Sequence, residues 1–116
     1  MLQISPQAKI FLAISHIDFR KGIDTLAALC RQQLAHDPFS GAFFLFRNRA
    51  FKAIKVLVYD GQGFWLCTKR LSKGKFTWWP TNKETLYQLS ASKLQILLWN
   101  GDPSKAKIPE DWKKIF

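Results

Sequence analysis

Acidic residues are scarce in this chain. Eight Asp and Glu stand against eighteen Lys and Arg, a formal net charge of +10. Two-metal phosphoryl chemistry needs several carboxylates converging on ions about 4 Å apart. The carboxylates present are Asp18, Asp24, Asp37, Asp60, Glu84, Asp102, Glu110 and Asp111. Most fall at helix caps, at turns or in a polar tail, so no metal site is expected. Metal-ligating side chains of other kinds are as sparse: His16, Cys30, His36 and Cys67 include no pair at zinc-ligand spacing. With one cysteine in a helical stretch and the other on a strand, two buried thiols are expected rather than a disulfide.

Other absences narrow the reading further. There is no Gly-rich phosphate loop and no activated-serine motif. No apolar run approaches the roughly 20 residues that cross a bilayer, and the N-terminus lacks a basic segment followed by an apolar one. Repeats and low-complexity segments are missing. These gaps predict a cytoplasmic protein with no catalytic residue, no cofactor and no membrane association.

What the chain does have is a globular composition, 47% hydrophobic and 22% charged over 116 residues. One domain over 1–116 is expected, with 103–116 as a loosely attached tail; a chain of this size buries roughly two thirds of its unfolded surface. From Phe43 to Trp79 short runs rich in Val, Phe, Trp and Thr alternate with Gly-containing turns, the pattern of chained hairpins. With Gly61-Gln62 as one tip, Tyr59 pairs with Phe64, Val58 with Trp65, Leu57 with Leu66, Val56 with Cys67 and Lys55 with Thr68. A second tip is expected at Lys73-Gly74. Alternation then places Ile54, Val56, Val58, Trp65, Cys67, Leu71, Phe76 and Trp78 on a core face. Leu57, Leu66, Tyr59, Phe64, Lys55, Thr68, Arg70, Thr77 and Trp79 fall on an open one.

Around this meander, Lys9 to Ile14 reads as an inner strand. Ile23, Leu26, Ala27, Cys30 and Leu34 form one face of a helix ending near Ala35, with Asp18 as its N-cap. Glu84 to Leu89 is ambiguous. Ser90 to Trp99 reads as a second helix, capped by Ser90, with Leu94, Leu97 and Leu98 inward and Asn100-Gly101 as its stop. In the tail, Ile108, Trp112, Ile115 and Phe116 are apolar anchors. The fold class is α+β: an antiparallel meander of four to five strands packed by an N-terminal-half helix and a C-terminal helix.

Charge is unevenly placed. Residues 47–83 carry nine Lys/Arg (Arg47, Arg49, Lys52, Lys55, Lys69, Arg70, Lys73, Lys75, Lys83) against Asp60 alone, a net +8, while the segments on either side are each at +1. A concentrated basic patch is the electrostatic footprint of a nucleic-acid binder, because neutralising phosphates releases condensed counterions. Arg47, Arg49, Lys52, Lys55, Lys69, Arg70, Lys73 and Lys75 are the expected phosphate contacts, with Tyr59, Phe64 or Trp79 available to stack on unpaired bases.

An ordered series runs through Asp18-Phe-Arg20-Lys21-Gly22-Ile-Asp-Thr-Leu26, Asp37-Pro38-Phe-Ser40-Gly41, Phe44-Leu-Phe46-Arg47-Asn-Arg49, Ile54-Lys55-Val-Leu57, Asp60-Gly61-Gln-Gly63 and Lys69-Arg70-Leu71-Ser-Lys-Gly74-Lys-Phe76-Thr-Trp78. Over residues 4 to 102 it resembles the TnpB-type accessory protein encoded by the second open reading frame of the insertion sequence 66 family. The resemblance implies a part in DNA transposition beside a separate, larger transposase. It adds Arg20 and Lys21 to the expected DNA contacts. The segment from Asp102 to Phe116 lies beyond it.

Two rival functions fit the same composition. One is an interaction module whose basic aromatic face binds the transposase without binding DNA. The other is a small metal-independent ribonuclease of the toxin type, using His16 or Tyr59 for proton transfer and Arg70 to stabilise developing charge.

Overall fold

Five short runs rich in Phe, Leu, Ile, Val and Tyr form strands, and two stretches with apolar residues three and four apart form helices, in the computed structural model, which describes residues 6–105. In order they are β1 (Ile10–Ala13), α1 (Ile23–Gln32), β2 (Phe43–Arg47), β3 (Ala53–Tyr59), β4 (Phe64–Arg70), β5 (Leu86–Leu89) and α2 (Ala91–Leu98). The strands make one sheet in the order β4-β3-β2-β1-β5. β1 and β2 are parallel because α1 carries the chain back between them; parallel neighbours require such a crossover. The other pairings are antiparallel, so the expected α+β fold holds, with a mixed sheet.

The β2-β3-β4 meander has the expected register, with Tyr59 opposite Phe64 and Lys55 opposite Thr68. The ambiguous 84–89 segment supplies β5, paired along β1 from Ile10–Leu89 to Ala13–Leu86. The second hairpin, at Lys73-Gly74, does not form. After β4 the chain leaves the sheet. The Leu71 N–H donates to the Lys52 carbonyl at 2.9 Å and the Phe76 N–H to the Phe51 carbonyl at 2.7 Å, and residues 76–79 fold beneath the sheet. β4 is therefore an edge strand.

The division into a core face and an open face is corrected as well. Phe11, Ala13, Phe44, Phe46 and Leu57 pack under α1 against Leu26, Cys30 and Leu34. On the opposite face Ile10, Leu12, Leu45, Ile54, Val56 and Val58 pack against Leu94 and Leu97 of α2, and against Phe76 and Trp79. Both faces are covered because β1, β2 and most of β3 are apolar on both sides, and such strands need a layer on each. Phe43-Phe-Leu-Phe46 carries that signal as an unbroken run. Among the described residues the α2 side is capped over β1 to β3 only, so Trp65 and Cys67 of β4, expected in the core, are exposed. Both cysteines are free thiols, and only Cys30 is buried.

The helix ends differ in detail from expectation. Gly22, not Asp18, is the N-cap of α1. Asp18 instead closes the preceding turn, accepting from the Arg20 N–H at 2.9 Å and pairing with its guanidinium at 2.7 Å. The helix stops at Gln32, and Ala35 (φ 56°) turns the chain away. Ser90 is the N-cap of α2, but its Oγ lies 3.2 Å from Ser92 Oγ and makes no capping bond. Asn100 (φ 64°) ends α2 as expected. The Gly101 N–H then returns to the Ile96 carbonyl at 2.7 Å, an approach that leaves no room for a side chain. Most of the tail, with Ile108, Glu110, Asp111, Trp112, Ile115 and Phe116, lies outside the described residues.

Candidate nucleic-acid interface

Strand direction decides where the basic residues gather. β2 ends at Arg47, β3 begins at Ala53 opposite Arg70, and β4 ends at Arg70. The β2–β3 turn, with Arg49 and Lys52, and the segment after β4, with Lys73 and Lys75, thus leave the sheet from one end. The 18–21 loop is drawn to the same end. The Ile17 N–H donates to the Arg47 carbonyl at 3.0 Å, and Lys55 Nζ donates to the carbonyls of Phe19 at 2.6 Å and Lys21 at 3.4 Å. All ten expected phosphate-binding residues, Arg20, Lys21, Arg47, Arg49, Lys52, Lys55, Lys69, Arg70, Lys73 and Lys75, sit at or near this basic end. Asp60, the acidic residue of the segment, turns the hairpin at the opposite end.

Local chemistry holds this end in shape. Asn48 Oδ1 accepts from the N–H groups of Lys52 and Ala53 at 2.9 and 3.2 Å, closing a turn in which Phe51 has φ 57°. Asn100 ties the 75–77 segment to the end of α2: its Oδ1 accepts from the Thr77 N–H at 2.8 Å and its Nδ2 donates to the Lys75 carbonyl at 3.0 Å. Lys69 Nζ donates to the Leu98 carbonyl, where the negative end of the α2 dipole favours a cation.

The ten residues are not equivalent. The Arg47 guanidinium stacks 3.9 Å from the Phe51 ring centroid, and burial lowers its pKa. Lys55 is committed to the 19–21 carbonyls. These two brace the end. Arg20 is paired with Asp18 yet its side chain is 91% exposed. The pair holds the Asp18 carboxyl down at about 2, chiefly through the Arg20 side-chain hydrogen bonds. Lys21, Arg49, Lys52, Arg70, Lys73 and Lys75 are exposed, and among the described residues no carboxylate is ion-paired to any of them.

The expected stacking rings do not join this group. Trp79 is 6% exposed, and its Nε1 donates to the Ala13 carbonyl at 2.8 Å; it is a core residue, fixed under the sheet. Tyr59 and Phe64 lie at the far end of the hairpin in a cluster with Phe39, with ring centroids 4.9 to 5.1 Å apart. Tyr59 is also six residues along β3 from the partner of Arg70, about 20 Å away at strand rise, so the proposed pairing of Tyr59 with Arg70 in a ribonuclease centre is not assembled. His16 lines a cleft of about 300 Å³ with Ser15, Asp18, Lys21, Gln33 and Thr85. Sequence reasoning missed two rings that are exposed on the α2 side, Trp65 at 51% and Trp99 at 80%.

Fold and surface together describe a small α+β domain with cations concentrated at one end of its sheet. A family profile described as "IS66 Orf2 like protein" matches residues 8–107, and the chain belongs to that family. Membership ties it to the IS66 transposition system. The chain is similar to two proteins of Sinorhizobium fredii (strain NBRC 101917 / NGR234). "Uncharacterized protein y4hO" is 36% identical over 98 residues, 84% of each chain. "Uncharacterized protein y4jC" is 32% identical over 107 residues, 92% of this chain and 91% of the relative. No solved structure matches the chain significantly. Among the described residues no helix is long and apolar enough to cross a membrane.

Proposed function

We propose that this protein is a non-enzymatic DNA-binding accessory factor of insertion-sequence transposition, acting beside a separate transposase. Family membership supports the transposition context. The observation that carries the DNA-binding part is the convergence of Arg49, Lys52, Arg70, Lys73 and Lys75 at one end of the sheet, with no carboxylate ion-paired to them among the described residues. Cations left open in this way exchange their counterions for phosphates, and contacts of this kind position a protein on DNA without reading its sequence. Recognition of transposon ends then falls to the transposase.

A paired substitution tests the placement. Lys52→Ala with Arg70→Ala removes two phosphate contacts, so the slope of log affinity against log salt on duplex DNA should fall in magnitude by about 2. Arg31→Ala with Lys93→Ala, on helix positions towards the opposite end, should leave it unchanged. Equal losses from both pairs would mean that net charge alone, not the basic end, drives binding.

A second reading rests on β4, which among the described residues pairs with a strand on one side only. A seven-residue edge strand is a template for strand addition by a partner chain, and this reading assigns that place to the transposase. If the protein holds the transposase and shows no affinity for DNA at low salt, this reading replaces the first.

A further inference from the structure

The two exposed tryptophans are on the same side of the molecule, and β4 explains why. Trp65, Cys67 and Lys69 alternate onto the α2 face of that strand, opposite Val58, Val56 and Ile54. Trp65 and Lys69 are four residues apart, about 13 Å along the strand. At the Lys69 end, Lys69 Nζ lies 5.2 Å from the Trp99 ring centroid. The row Trp99, Lys69, Cys67, Trp65 is thus an exposed path from the basic end to the hairpin tip, with an indole at each end and an ammonium group between them.

Trp65 is held in place although half its surface is open. Its Nε1 donates to Asp60 Oδ2 at 2.7 Å, while Asp60 Oδ1 accepts from the N–H groups of Gln62 and Gly63 at 2.9 and 3.0 Å. The indole edge is anchored to a turn that is itself fixed, so the ring face is presented with little rotamer freedom to lose on binding. Trp99 follows directly on α2, and the Lys69 contact fixes its neighbourhood. Exposed aromatic rings interleaved with cations are the arrangement that grips unpaired nucleic acid. Base–aromatic stacking is independent of sequence, the cations hold the backbone, and a base stacked within a duplex has no free face to offer.

We propose that Trp65 and Trp99, with Lys69 between them, form a stacking platform for single-stranded DNA. It continues the basic end, so that duplex is held there and an unpaired strand is led along β4. The inference rests on the DNA-binding reading above and adds to it the class of nucleic acid taken by this face.

The test compares oligo(dT) of about 12 nucleotides with a duplex of equal length, by fluorescence anisotropy on the full chain carrying Trp65→Ala, Trp99→Ala or both. The platform predicts that each single substitution weakens oligo(dT) binding by about fivefold or more, that the double loses more than either single, and that duplex affinity stays within about twofold. Trp65→Phe, which keeps a ring face but loses the N–H anchor to Asp60, should bind oligo(dT) more tightly than Trp65→Ala and more weakly than the wild type. Unchanged oligo(dT) binding in the double variant would overturn the platform while leaving the DNA-binding reading intact. Equal losses on oligo(dT) and duplex would also overturn it. A sharp fall in melting temperature with oligo(dT) affinity unaltered would mean that the rings serve packing and would overturn the platform. Absence of wild-type binding to either DNA would instead remove the DNA-binding reading itself.

Discussion

The indole N–H of Trp79 donates to the main-chain carbonyl of Ala13 at 2.8 Å, joining residues 66 positions apart in the chain. This bond pins the segment after β4 beneath β1 and makes Trp79 part of the fold rather than of the surface. Trp79→Phe keeps most of the packing but leaves a buried carbonyl without that donor, a loss of about 1–3 kcal/mol; Trp79→Ala should cost about 3–5 kcal/mol. Urea unfolding measures both. DNA affinity of the folded Trp79→Phe protein should equal that of the wild type.

Gly101 is required by a close approach. A Cβ there would meet Ile96 Cγ2 at 2.7 Å and the Ile96 carbonyl oxygen at 3.0 Å. Gly101→Ala should therefore destabilise the protein by about 1–3 kcal/mol. Since the adjacent Asn100 straps the 75–77 segment, it should also raise amide exchange at Thr77. A melting temperature equal to that of the wild type would contradict the packing described at the end of α2.

The two thiols should behave differently. Burial pushes Cys30 up to about 12, so it stays protonated and shielded, whereas Cys67 is exposed on β4. A thiolate-selective reagent at neutral pH should modify one cysteine per folded chain, mapped to Cys67, and the second only on unfolding. Linkage adds a pH limit. A thiol that is harder to ionise in the folded state contributes stability below its ordinary pKa of 9.0, and that stability is lost as the pH climbs towards 12.

Asp60 gives the opposite sign. Hydrogen bonds from the backbone N–H of Gln62, then that of Gly63, then the Trp65 indole, hold its carboxyl below the ordinary 3.8. A depressed folded-state pKa contributes stability above the ordinary value and loses it as the pH falls through the folded one. Asp60→Ala should lower the melting temperature at pH 7. Its deficit against wild type should shrink as the pH falls below about 4, and a constant deficit would show that the carboxylate charge plays no part.

How far these features were legible in the sequence follows from the range of the forces involved. The Tyr59–Phe64 to Lys55–Thr68 register could be read because a hairpin tip with Gly61 sets it locally. The two helices could be read because their apolar spacing is periodic within one element. The faces were misassigned because alternation along a pair of strands says which residues share a side, not what covers that side. Leu57 was expected on the open face and Trp65 on the core face; α1 buries the first, and among the described residues nothing over β4 buries the second. Trp79 was indistinguishable from a surface ring without knowing that the Lys73-Gly74 turn fails to make a hairpin. The gathering of Arg20 and Lys21 with Arg49, Lys52 and Arg70 depends on the Lys55 bonds to Phe19 and Lys21, contacts more than thirty residues apart that no local pattern encodes.

The central claim is that the open cations of the basic end bind DNA phosphates, and the salt dependence of duplex affinity for the wild-type chain tests it most directly. Five or six contacts predict a slope of roughly −4 to −6 in log affinity against log salt. A slope near zero, or no binding at low salt, would contradict the claim and assign the basic end to a protein partner.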